Sequence, residues 1–172
     1  MGKRVNKKAL LMLVFAVVLL TGAGFQFARF FRERGSSDGL AYFYDLSERK
    51  LFVASRTLVP PIPGVNDAKL DGMRAIVIST NGDPKDKTGR KVAYLEKYSP
   101  ELKQQLEAMQ AGQESAAAPG ARISRGAAQS FTFVRRVDEE TWYPVNSAEG
   151  EKIMTEWQTP GADGVVPVVC AP

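Results

Sequence analysis

The chain has 172 residues and a formal net charge of +4, with no histidine and a single cysteine, Cys170. This composition excludes histidine general bases, the usual zinc sites and an internal disulfide. Residues 35–172 hold 16 of the 23 basic and 18 of the 19 acidic residues, a net charge of −2. We therefore expect no nucleic-acid partner, because the domain itself lacks a basic face.

The first predicted element is a transmembrane helix over residues 9–31, which follows a basic cytoplasmic tail over residues 1–8. Residues 9–28 are free of charge, and a helix of this length matches the ~30 Å apolar core of a bilayer. The alternative is a secretory leader cleaved near Thr21-Gly22-Ala23, but apolar residues continue beyond that site. The pattern favours an uncleaved signal-anchor with a cytoplasmic N-terminus, because more positive charge precedes the helix than follows it.

Two groups of residues near the end of this helix are candidate contact sites. Rings and guanidinium groups alternate as is typical of a membrane interface; these residues are Phe25, Phe27, Arg29, Phe30, Phe31 and Arg32. Small residues share one helix face, which favours helix–helix contact, although they are also common in spanning helices in general; they are Thr21, Gly24 and Ala28. The expected partners are membrane lipid and other membrane protein subunits.

A Gly- and Ser-rich linker is predicted over residues 32–39, before an extracytoplasmic, periplasmic domain over residues 40–172. Two apolar runs, 41–46 and 51–54, flank a polar connection and predict a β-hairpin. A proline-rich stretch then predicts a rigid loop.

The β-branched run at 73–80 predicts the central strand, and 91–98 predicts the next. Ser99 as N-cap, Pro100 at the first position and an apolar stripe predict a helix over 100–110. The small-residue segment 111–128 predicts a flexible low-complexity loop.

Beyond this loop, the apolar runs at 130–137 and 141–145 predict two strands, and a short helix follows that is opened by Asn146 or Ser147. The tail predicts an edge strand limited by Pro167. The predicted fold class is therefore α+β: one N-terminal transmembrane helix, then a small mixed domain with an antiparallel-rich sheet of about five strands and two short helices.

Few residues of the domain indicate chemistry. Asp138, Glu139 and Glu140 could bind a cation, but their position between strands favours a solvated turn. The Arg135-Arg136 pair could meet an anionic lipid headgroup or polymer, although scattered surface arginines are the usual interpretation. Aromatic residues that indicate either a protein interface or core are Tyr42, Tyr44, Trp142 and Tyr143. We predict no catalytic residue, cofactor or metal site.

The favoured functional hypothesis is a non-catalytic accessory, assembly or scaffolding subunit of a bacterial envelope complex, anchored in the cell membrane by a single pass. The alternative is an extracytoplasmic binding module for an envelope ligand such as a lipid, a glycan or a peptide. A membrane-tethered enzyme is the third hypothesis, since no motif with an activated nucleophile is present.

Overall fold

A computed structural model of the chain describes residues 39–112, 123–124 and 126–172. These residues form one eight-stranded sheet and two α-helices. The strands are β1 (Leu40–Asp45), β2 (Lys50–Ser55), β3 (Ile62–Pro63), β4 (Leu70–Ser79), β5 (Arg90–Tyr98), β6 (Thr132–Arg135), β7 (Tyr143–Pro144) and β8 (Val168–Val169). The helices are α1 (Pro100–Gln110) and α2 (Ala148–Thr155).

The central strand of the sheet is β4. The strand order is β2-β1-β4-β5-β6-β7, and the short strands β3 and β8 also pair with β4. All of these pairings are antiparallel. The sequence explains the position of β4, because its apolar, β-branched run at 75–78 suits a strand that is buried on both faces.

Alternation along the strands gives the sheet two buried faces, which we call face A and face B. Face A carries the core cluster of Tyr42, Met73, Ala75, Val77, Leu95 and Cys170. The residues next to these in the strands point to face B, where Phe43 and Val134 are fully buried. Burial of apolar side chains on both faces supplies most of the stabilisation of such a fold.

Both helices begin at serine caps. Ser99 Oγ accepts a hydrogen bond from the backbone N–H of Leu102 at 3.2 Å, and Pro100 occupies the first helical position. The helix predicted over 100–110 is confirmed. In α2, Ser147 Oγ accepts from the N–H of Gly150 at 3.1 Å, and Ile153 is fully buried.

Two carboxylates, Asp45 at the end of β1 and Asp71 near the start of β4, are buried where the β1–β2 turn meets β4. Asp45 is 1% exposed and accepts hydrogen bonds from the backbone N–H groups of Glu48 (2.9 Å) and Val65 (2.7 Å). These bonds hold the pKa of Asp45 below its usual value, although burial opposes them. Gly64 passes close to both carboxylates, since a Cβ there would lie 2.5 Å from Asp45 Oδ2 and 2.8 Å from Asp71 Oδ1.

The predicted fold class is wrong. The described residues are sheet-rich, with eight strands rather than about five, and with two short helices. Three of the strands, β3, β7 and β8, are only two residues long. β7 lies within the predicted strand at 141–145 and β8 within the predicted edge strand of the tail, whereas the sequence does not predict β3, because so short a ladder leaves no alternation in the sequence. None of the described helices is long and apolar enough to cross a membrane, which also corrects the single-pass, signal-anchor description. The helix predicted over 9–31 lies outside the described residues.

Other local predictions have mixed outcomes. The β1–β2 hairpin is confirmed. The predicted proline-rich loop contains β3, which pairs with β4 through Ile62. In the predicted loop at 111–128, residues 113–122 and 125 lie outside the described residues. Ile123 is held to α1, because its backbone N–H and C=O bond to the side-chain amide of Gln105 at 2.8 and 3.0 Å.

Candidate functional site

A cavity of about 400 Å³ lies between the β1–β2 turn and the segment that follows β6. The tight turn brings Arg49 to its wall, and Arg49 has a left-handed backbone with a φ of 52°. The lining residues are Tyr44, Leu46, Arg49, Arg135, Val137, Asp138, Glu139 and Glu140. The cavity therefore has a small apolar surface and charged groups of both signs.

Arg135 is the buried charge of this cavity. It is the last residue of β6 and lies directly opposite Leu95 of β5, so its side chain points to face A. Arg135 is only 9% exposed. One guanidinium nitrogen, Nη1, donates to the backbone carbonyl of Glu139. The Nε atom is buried and has no hydrogen-bond partner among the described residues.

A second cation lies beside Arg135. The ring of Trp142 has Lys97 Nζ 4.4 Å and Arg135 Cζ 5.0 Å from its centroid, so both cations contact the same π-system. No carboxylate in the described part of the chain is within ion-pair distance of either cation. Burial lowers the pKa of Arg135, and burial together with Arg135 lowers the pKa of Lys97. The site therefore concentrates positive charge that no described carboxylate neutralises by direct pairing.

The next residue, Arg136, differs from Arg135 in having several carboxylates within ion-pair distance. Its guanidinium lies 2.8 Å from Glu139, 3.1 Å from Glu149 and 2.5 Å from Glu156. These carboxylates, Glu156 first, hold the pKa of Arg136 above its usual value. Of two consecutive arginines, Arg136 thus has three carboxylate neighbours, and Arg135 is buried with no carboxylate of the described residues within ion-pair distance.

The site has the donors for an anion but a poor set of ligands for a metal. The described ranges contain no group of three or more His, Cys, Asp or Glu side chains that could hold a metal ion. Searches of protein-family models, curated proteins and solved structures found no match for this chain. We therefore infer the chemistry of the cavity from its own lining, which combines the buried guanidinium of Arg135 with the acidic side chains of Asp138, Glu139 and Glu140.

The structure separates the four aromatic residues singled out in the sequence. Tyr44 lines the cavity, and Trp142 contacts Lys97 and Arg135 beside it. Tyr42 lies in the face A core, where its hydroxyl donates to the carbonyl of Ala171 at 3.3 Å. Tyr143 lies opposite Val134 in β7, and its side chain therefore points to face B. The membrane-interface and helix-contact residues between 21 and 32 lie outside the described residues.

Sequence reasoning missed the importance of Arg135, although a signal was present. In the run Phe133-Val134-Arg135-Arg136-Val137, a period of two places Arg135 on the same face as Phe133 and Val137. That face is buried, so the pattern indicates an inward-pointing charge. The usual interpretation of arginine as a surface residue outweighed this alternation.

Proposed function

We propose that the domain formed by residues 40–172 is a non-catalytic binding module, and that Arg135 binds an anionic group of the ligand inside the cavity. The observation that supports this proposal is that the guanidinium of Arg135 lines the cavity, is 9% exposed, and has no carboxylate within ion-pair distance among the residues that the structure describes. Buried charges in proteins are normally paired, because removing an ion from water costs several kcal/mol. A ligand carboxylate or phosphate would supply the missing partner.

The geometry of arginine suits this role. A guanidinium has five N–H donors in a planar fork, which matches the two oxygens of a carboxylate or phosphate. In Arg135, the carbonyl of Glu139 occupies Nη1 and the Trp142 ring packs against the guanidinium. The side chain is thus held in place, while Nη2 makes no hydrogen bond to the described residues. Lys97 adds a second positive charge, with its Nζ 4.4 Å from the centroid of the same ring.

Two features support a binding role rather than catalysis. The chain contains no histidine, the most common general base near neutral pH. Its single thiol, Cys170, is buried in the face A core cluster and is not part of the cavity lining. The cavity also falls within the range of about 300–1,000 Å³ that small-ligand sites occupy. Anionic lipid headgroups, acidic sugars and peptide carboxylates all share the required chemistry.

The proposal predicts that propionate binds the full 172-residue chain and shifts the indole N–H signal of Trp142 in an NMR titration. Replacing Arg135 with methionine keeps the aliphatic bulk but removes the charge, and should weaken propionate binding at least about tenfold, the loss expected for a charge-assisted hydrogen bond. Arg56→Met is the matched control, because Arg56 is exposed and is not one of the residues that line the cavity. If Arg135→Met binds propionate as tightly as the wild-type chain does, the proposal is wrong.

A second candidate function, docking as an accessory subunit, is favoured by the outer edge of β2. This strand pairs only with β1 in the described sheet, and its side chains Leu51 and Val53 are 37% and 46% exposed. Open strand edges with apolar side chains bind other chains by strand addition.

Docking by β2 predicts that Val53→Lys abolishes stable co-purification with other subunits while leaving the melting temperature nearly unchanged. An added charge on an edge strand opposes pairing but disturbs little else. Leu58→Lys is the matched control, since Leu58 is 42% exposed but lies outside β2. If both variants lose the same partners, the effect does not belong to the β2 edge.

A further inference from the structure

We infer that the ligand of the cavity is zwitterionic: its carboxylate binds Arg135 and its ammonium group binds Glu140, as a free amino acid or a short peptide could do. This inference rests on the proposed function, which assigns an anion to Arg135. It adds the chemical class of the ligand, and it gives the acidic wall of the cavity a role.

The acidic wall consists of Asp138, Glu139 and Glu140. Glu139 is already occupied, because its carboxylate lies 2.8 Å from Arg136. Asp138 and Glu140 are exposed, and no described cation lies within ion-pair distance of them. Within the described ranges, two carboxylates without a cationic partner thus line the same cavity as a guanidinium without an anionic one.

Glu140 is the carboxylate whose charge reaches Arg135. Burial lowers the pKa of Arg135, and the negative charge of Glu140 opposes this effect more strongly than Tyr44 does. The two groups do not form an ion pair within the described structure. Because both groups line the cavity, a ligand bound there interacts with both charges.

This arrangement discriminates against a simple anion. A ligand that carries only a carboxylate gains the bonds to Arg135 but is repelled by Glu140, because both are negative. If the ligand also carries an ammonium group, that group is attracted to Glu140. Tyr44, Leu46 and Val137 supply apolar surface for a small side chain next to the charged groups, and the cavity of about 400 Å³ has room for more than a single acetate-sized group.

The test compares four probes by NMR titration of the full chain, with the Trp142 indole signal as readout: propionate, ethylamine, alanine and the dipeptide Ala-Ala. We expect alanine or Ala-Ala to bind about tenfold more tightly than propionate, the gain of one additional charge-assisted contact. The probe that binds more tightly shows whether the ligand is a free amino acid or a short peptide, since the charges of alanine are close together and those of the dipeptide are farther apart. Glu140→Gln should abolish this preference and leave propionate binding intact or stronger.

The matched control is Asp138→Asn, which neutralises the other free carboxylate of the same wall and should keep the preference. Equal affinity for propionate and alanine in the wild-type chain overturns the zwitterion inference but leaves the proposed anion site in place. Loss of the preference in Asp138→Asn, but not in Glu140→Gln, overturns the assignment to Glu140. If no carboxylate probe binds, the proposed function and this inference both fail.

Discussion

Replacing Gly64 with alanine lowers the free energy of unfolding by about 3 kcal/mol, at the upper end of the usual cost of overpacking. The added Cβ would lie 2.5 Å from Asp45 Oδ2 and 2.8 Å from Asp71 Oδ1, whereas normal contacts between carbon and oxygen are well above 3 Å. Asp45 cannot turn away without losing its bonds to the backbone N–H groups of Glu48 and Val65. The clash would therefore displace the chain near Gly64 or break buried hydrogen bonds.

Urea unfolding of Gly64→Ala against Gly126→Ala measures this effect. A Cβ on Gly126 meets no atom within 4 Å, so that control should change stability by no more than about 0.5 kcal/mol. If the two variants unfold at the same urea concentration, the carboxylates are not packed around Gly64 as described.

Replacing Arg135 with methionine should raise the free energy of unfolding of the ligand-free protein by about 1–2 kcal/mol. The variant loses the bond to the Glu139 carbonyl and the contact with the Trp142 ring, which together stabilise the fold by about 2–3 kcal/mol. It gains more, because burying an unpaired guanidinium costs several kcal/mol and methionine fills similar space without that cost. A buried charge that destabilises the free protein is typical of a residue kept for binding.

The control for this prediction is Arg136→Met, which removes a guanidinium with three carboxylate neighbours. That variant should lose stability, since Glu139 and Glu156 would lose their ion-pair partner and Glu149 would keep only Lys152, at 3.7 Å. Equilibrium urea unfolding of both variants gives the sign of each change. A loss of more than about 3 kcal/mol in Arg135→Met would make Arg135 a structural residue instead.

The parts of the fold that the sequence predicts are those with a strong local cause. The β1–β2 hairpin follows from two apolar runs around a polar turn, and α1 follows from Ser99, Pro100 and an apolar stripe. The strand β4 follows from its β-branched run. In each case a few neighbouring residues determine the structure, and no distant contact is needed.

The parts that the sequence does not predict depend on distant contacts. The two-residue strand β3 depends on its pairing with β4, and its own residues, Ile62 and Pro63, carry no strand pattern. The cavity brings Tyr44 and Glu140 together, although they are far apart in the chain. Arg135 and Arg136 look alike in sequence, and only the positions of three carboxylates from the loop, α2 and the turn after it separate their roles.

The most direct test of the central claim, that Arg135 is held unpaired to bind an anion, is the dependence of unfolding free energy on propionate at constant ionic strength. Constant ionic strength removes general screening effects. In the wild-type chain, propionate at ten times its Kd should raise the free energy of unfolding by about 1.4 kcal/mol, because it binds only the folded state. Arg135→Met should start higher and show no rise, and an equal rise in both proteins would contradict the claim.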